Sequence, residues 1–376
     1  MKYYIIAGEA SGDLHASNLM KAIKQKDAEA EFRFWGGDLM RQQGGSLVKH
    51  YRDLAFMGFA EVIMNLRTIL GNISFCRKDI ISWNPDVLIL VDYPGFNLRI
   101  AEFAHKKGFK VVYYISPQVW AWKRGRVKKI KKVVDKMLVI LPFEKEFYAG
   151  YGMDVSFTGH PLLDALQQED HLSKDEFLKK NNLPEKPIIA LLPGSRKQEV
   201  SKMLRVMLQT VSKFPGYEFV IAGVPTLGEE FYNTFLINDS VKVLFNKTHN
   251  ILYHADAALV TSGTATLETA LIGTPEVVCY KGNWLSYKIA KQVIKVKYIS
   301  LVNLIMDRMV VKELIQHELT VGNLVKELNL LLNDTEYRQK QLSDYNELRE
   351  ILGKSGASEK AAAIITDFLK KNAKTR

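Results

Sequence analysis

Cysteine is almost absent: Cys76 and Cys279 are the two in 376 residues, far apart and in no metal-ligand spacing. No disulfide framework is available, and a reducing compartment is expected. The chain has no uninterrupted apolar run of the roughly 18 residues needed to span a bilayer. No Gly-x-Gly-x-x-Gly follows the opening strand, so the dinucleotide fingerprint is missing. Short-period repeats, low-complexity segments and Asp-x-Asp pairs are also absent. The first apolar run, Tyr3-Tyr4-Ile5-Ile6-Ala7, is too short for a signal peptide and reads as a buried strand. A hydrophobic fraction of 47% argues against disorder. The length exceeds what one hydrophobic core usually serves. These exclusions leave a cytosolic protein of two domains.

Apolar runs alternate with helix-like segments twice over. In the first half they fall at residues 3–7, 32–35, 87–91, 110–115 and 137–141. In the second half they fall at 188–192, 218–222, 242–245, 257–260 and 276–280. Such alternation predicts βαβ units with right-handed crossovers. Between the halves, Phe157-Thr158-Gly159-His160-Pro161 breaks the pattern and is a candidate hinge. After Asn283 the chain is expected to be helical to its end. The predicted fold is α/β, with two Rossmann-like domains facing a central cleft. Residues 1–160 form the first domain and 161–345 the second, while helices in 346–376 return to brace the first.

The most informative stretch is 187–280. Two apolar strands there run into small residues and then into helices: Leu192-Pro193-Gly194-Ser195-Arg196, and Ser262-Gly263-Thr264-Ala265-Thr266-Leu267-Glu268. Small residues let backbone amides approach a phosphate, and a helix N-terminus adds partial positive charge. Arg196 offers a fork of donors to the same anion. Glu268, one turn into the second helix, is placed to accept from sugar hydroxyls. Together these read as a site for a nucleotide diphosphate bearing a sugar.

The first half carries carboxylates at two strand ends. Glu9 lies in Gly8-Glu9-Ala10-Ser11-Gly12-Asp13, where Ser11 or Asp13 would cap a helix. Asp92 ends Val87-Leu88-Ile89-Leu90-Val91 and precedes Tyr93-Pro94-Gly95-Phe96-Asn97. The first turn also has a bland reading, a tight strand-to-helix turn capped by Asp13, though Glu9 at the end of a buried strand needs partners; Asp92 likewise reads as a turn former ahead of Pro94. At the carboxyl end of a parallel strand, however, Asp92 stands where such sheets hold ligands and can take a proton from an attacking hydroxyl. The aromatic segment 113–123, with Ser116, Gln118 and Trp120, suits either a core or a groove for a large amphipathic substrate, to which Ser11 and Asn97 are also assigned.

The net charge is +11, with seven Lys or Arg between Lys123 and Lys132. A solvated helix face and an anionic membrane surface compete to explain this run. Nucleic acid is not expected, since no recognition motif or stacking platform accompanies the charge. The apolar segment 55–75, including Met57, Phe59 and Ile63, is either a core helix or an interfacial acyl-chain groove.

These motifs, taken in order, resemble the lipid A disaccharide synthase family of B-type glycosyltransferases. The resemblance runs from Gly8 to about Glu313. Beyond the turns already named it rests on Met57-Gly58-Phe59-Ala60-Glu61-Val62, Ser116–Trp122, Leu141-Pro142-Phe143-Glu144-Lys145, Gly159-His160-Pro161 and Ser300-Leu301-Val302-Asn303-Leu304. It implies transfer of an acylglucosamine unit from UDP-2,3-diacylglucosamine to the 6-hydroxyl of 2,3-diacylglucosamine 1-phosphate (lipid X), with inversion and release of UDP. It also implies that Glu9, Asp92, Arg196 and Asn303 serve activity, with Asp92 as base and with Arg196 and Asn303 binding the nucleotide sugar. A peripheral place on the cytoplasmic face of the inner membrane follows from the lipid substrates, and a homodimer is compatible with the family. Gly95 departs from the family pattern, where a second Asp is usual. No cofactor or metal is expected, because Arg196 and a helix terminus can compensate the diphosphate charge. Other B-type UDP-sugar enzymes, such as a UDP-N-acetylglucosamine transferase or 2-epimerase, and a non-catalytic carrier are the alternatives.

Overall fold

A computed structural model describes residues 1–54, 66–121, 124–167, 172–236, 241–282 and 297–373. The chain divides into two compact units, Met1–Asp164 with Gly353–Arg376, and Ala165–Leu352.

The first unit is built on seven strands: β1 (Lys2–Ala7), β2 (Glu31–Gly36), β3 (Ser46–His50), β4 (Val87–Val91), β5 (Lys110–Tyr114), β6 (Lys136–Val139) and β7 (Ser156–Phe157). All pair in parallel, in the order β3-β2-β1-β4-β5-β6-β7. The central strands are continuous apolar runs because helices cover both faces: Tyr3–Ala7 and Val87–Val91 are fully buried. The order reverses between β1 and β4, which opens a crevice at their carboxyl ends. The register sets Ala7 opposite Val91, so Gly8-Glu9 and Asp92-Tyr93 leave the sheet side by side.

The second unit repeats the plan with β8 (Ile188–Leu192), β9 (Glu218–Gly223), β10 (Val241–Phe245), β11 (Ala255–Thr261), β12 (Glu276–Tyr280) and β13 (Lys312–Ile315). Its parallel order is β10-β9-β8-β11-β12-β13, reversing between β8 and β11. Leu192 pairs with Val260, so the turns beginning at Pro193 and Ser262 emerge together.

Two expectations need correction. Strands β3 and β7 are absent from the predicted runs, and β13 interrupts a stretch read as wholly helical. All three sit at sheet edges and are only partly buried. Edge strands keep polar residues such as Lys312 and Glu313, so no continuous apolar run announces them. The last helix, Ala357–Ala373, packs along the helix Ala10–Lys26 of the first unit. Its start is fixed by Asp164, whose carboxylate accepts from the amides of Gly356, Ala357 and Ser358 at 2.6, 3.2 and 2.9 Å. No helix among the described residues is long and apolar enough to cross a membrane.

Candidate active site

The first unit brings Glu9 and Asp92 to one crevice. Glu9 is the N-cap of the helix Ala10–Lys26 but makes no side-chain cap bond. Asp92 is half-buried, and burial followed by the charge of Glu9 pushes its carboxyl up to about 6. Between them the Tyr93 ring covers Gly8 so closely that a Cβ there would lie 2.4 Å from it. Glycine is therefore required at position 8 by close approach. Ser11 is exposed in the first helical turn. Asp13 is not a cap for its own helix: its carboxylate accepts from Gly37, Leu39 and Met40 amides at 2.7, 3.1 and 3.1 Å, fixing the helix Asp38–Gln42.

Three residues assigned to an acceptor groove are placed otherwise. Asn97 is fully buried, and its amide donates to the carbonyls of Asp92 at 2.8 Å and Val91 at 3.2 Å. It braces the turn that carries Asp92, because a buried amide must spend its donors on the nearest free carbonyls. Ser116 and Trp120 are buried too. The Ser116 hydroxyl lies 2.7 Å from that of Tyr148, and Trp120 meets Phe143 edge-on with ring centroids 5.0 Å apart. Both residues surround Glu144, which accepts from the Leu141 amide at 3.0 Å and is pushed up to about 7 by burial. Gln118 is exposed. Met57, Phe59 and Ile63 lie outside the described residues.

In the second unit Gly194 has φ +110°, and a Cβ there would meet a Glu199 carboxylate oxygen at 2.2 Å. That carboxylate accepts from the Ser195 amide at 3.0 Å, so the amide expected to hold phosphate already has an anion from the chain. Glu199 comes from the first turn of the helix Lys197–Met207, a local partner that the small-residue turn 192–196 does not announce in sequence. Arg196 is exposed at the N-cap of the helix Lys197–Met207. Beside it, Gly263 and Thr264 are exposed at the start of the helix Thr264–Ile272, with Ser262 and Ala265 half-buried. Thr266 turns inward, its hydroxyl donating to the Gly263 carbonyl at 2.9 Å. Glu268 lies 3.7 Å from His249 Nε2, an ion pair when that imidazole is protonated.

Asn303 is fully buried and has no group left for a ligand. Its Nδ2 donates to Val311 O at 2.8 Å and Glu313 Oε1 at 2.9 Å, and its Oδ1 accepts from the Val310 and Val311 amides at 2.7 and 2.9 Å. Glu313 also accepts from the Ser300 amide at 2.9 Å and from the Ile299 amide, while the Ile299 carbonyl accepts from the Ser262 hydroxyl at 2.9 Å. The expected nucleotide contact is thus replaced by a chain of bonds that ends at Ser262. Among the described residues, no group of three His, Cys, Asp or Glu side chains is arranged to hold a metal ion.

A family model described as lipid-A-disaccharide synthetase matches residues 3–368. The lipid-A-disaccharide synthase of Syntrophus aciditrophicus is 41% identical over 376 residues, covering 98% of this chain and 98% of that protein. Its counterpart in Trichlorobacter lovleyi is 38% identical over 375 residues, covering 98% and 97%. Among solved structures, the UDP-GlcNAc 2-epimerase of Neisseria meningitidis bound to UDP-GlcNAc superimposes with a TM-score of 0.67 at 13% identity, covering 99% of this chain and 100% of that one. At that identity the likeness speaks to the fold, two Rossmann-like units in one chain.

Proposed function

Because the chain belongs to the lipid-A-disaccharide synthetase family, and is thereby a glycosyltransferase of lipid A synthesis, we propose that it condenses UDP-2,3-diacylglucosamine with lipid X by inversion. The acceptor's 6-hydroxyl oxygen forms a bond to the anomeric carbon of the donor. The bond from that carbon to the diphosphate breaks on the opposite face, through a transition state of oxocarbenium character. The hydroxyl proton goes to the Asp92 carboxylate, and the electron pair leaves with UDP. Glu9 orients the acceptor and keeps Asp92 basic. Arg196 and the amides of Gly263–Ala265 meet the charge growing on the diphosphate.

The observation that carries this reading is the pairing of Glu9 and Asp92 at the β1–β4 switch point, with Asp92 pushed up to about 6. A carboxylate with that affinity for protons is still ionised at neutral pH and is a better base than an ordinary Asp. The donor phosphates need no divalent ion in this scheme, so turnover should persist in excess chelator. The lipid substrates place the enzyme peripherally on the cytoplasmic face of the inner membrane. Exposed Lys128 and Lys132, and the exposed apolar Leu70 and Phe75, support that placement.

The deciding assay measures UDP release from diacylated donor with and without diacylated acceptor, against unacylated sugars. Release that requires both acylated partners is expected. Conversion of UDP-N-acetylglucosamine without any acceptor would instead establish the epimerase reading, for which the neighbouring fold is the one point in favour.

A further inference from the structure

Asp92 and Tyr93 both adopt positive φ, 42° and 47°. Two consecutive non-glycine residues in the left-handed region are uncommon, and Tyr, unlike Gly, Asn or Asp, does not visit it routinely. Such a turn is strained and persists only where its surroundings hold it. Two groups meet the Asp92 carbonyl: the Asn97 amide at 2.8 Å and the Tyr113 hydroxyl at 2.6 Å. Tyr113 lies on β5 in register with Leu90, and its side chain is fully buried. Burial also holds its phenol well above the usual range, so it remains a donor. On the other side of the turn the Tyr93 ring is pinned against Gly8 and stacked on Phe96, with centroids 5.8 Å apart. The turn is therefore gripped by its carbonyl and by its ring.

We propose that Tyr113 is a positioning residue for the reaction: with Asn97 it tethers the Asp92 carbonyl, holds the left-handed Asp92–Tyr93 turn, and so aims the Asp92 carboxylate at the crevice beside Glu9. Tyr113 touches neither substrate nor reacting atoms in this role. It acts through the backbone of its neighbour. The inference rests on the reading of Asp92 as the base.

Tyr113→Phe removes one oxygen and leaves the ring in the core. The freed turn lets Asp92 gain solvent and draw away from Glu9, the charged group that faces it. The expected result is a roughly tenfold fall in kcat with KM for the nucleotide donor changed less than twofold. The acid limb of the kcat/KM profile should also move down from about pH 6 toward the ordinary carboxylate range. Asn97→Ala loosens the same carbonyl from the other side and should move the limb the same way, even if Tyr113→Phe folds poorly. Tyr114→Phe deletes a buried hydroxyl from the next position of β5 and should leave kcat and the limb unchanged.

If Tyr113→Phe and Asn97→Ala keep the parent's kcat and acid limb while Asp92→Asn is inactive, the tether is wrong and the base assignment stands. If Asp92→Asn itself turns over normally, the base assignment fails first.

Discussion

Burial and a neighbouring carboxylate make Asp92 a useful base and a structural cost at once. An acid whose folded pKa lies above its usual 3.8 binds its proton more tightly folded than unfolded. Its contribution to stability is full below about pH 4 and is lost as pH rises to about 6. Asp92→Asn should therefore raise the melting temperature by a few degrees at neutral pH and leave UDP binding intact. Turnover should fall about 10³-fold or more; calorimetry alongside the UDP-release assay checks both. A variant that loses stability and activity together would argue that Asp92 only shapes the turn. Arg196 is exposed. Arg196→Ala should lower turnover on the order of 10²-fold with little change in melting temperature, as expected when a stabiliser of developing charge is removed.

Elements are held at the site by side chains that never reach it. Glu313 on β13 pins the turn at Ile299–Ser300, Asn303 on the helix Leu301–Met306 holds the Glu313 carboxylate, and the Ile299 carbonyl accepts from Ser262. Asn303→Asp puts an oxygen where Nδ2 stands, 2.8 Å from one carbonyl and 2.9 Å from a carboxylate. Two donor–acceptor pairs become repulsive, and a loss of about 2–4 kcal/mol is expected, read as a lower denaturant midpoint together with weakened activity. Full stability with abolished turnover would instead mean that Asn303 meets the ligand directly. The same scale explains what remained illegible. A strand buried on both faces, such as Val87–Val91, writes itself as an unbroken apolar run, whereas β13 exposes part of its surface and keeps Lys312 and Glu313. The anchor Glu313 therefore sat in a segment that read as helix.

For the whole molecule, the chain passes from the first unit to the second after Asp164 and returns at Gly353. The Asp164 carboxylate holds the returning segment at the start of the last helix. The basic run is partly spent inside the first unit: Lys129 pairs with Glu102 at 2.6 Å and Lys131 donates to Tyr151 O. Lys128 and Lys132 are exposed on the same helix, Arg126–Val133, whose Val127, Ile130 and Val133 are buried. If this face meets an anionic bilayer, sedimentation with vesicles should rise with anionic lipid content and fall with salt. Replacing Lys128 and Lys132 by Glu should weaken it several-fold. Binding indifferent to both salt and lipid charge would leave these lysines as a solvated helix face.

From residue order alone came the doubly wound plan, since parallel strands buried on both faces leave continuous apolar runs, and the carboxylates and small residues at strand ends that mark ligand crevices. Folding decided which of those residues remain available. It turned Asn97, Ser116, Trp120 and Asn303 inward, gave the Ser195 amide to Glu199, and recruited Tyr113, which in sequence is one apolar-strand residue among many. The reason is that hydrogen-bond capacity is allotted in three dimensions. A buried polar group must satisfy itself with whatever the fold brings near, and linear spacing does not record those neighbours.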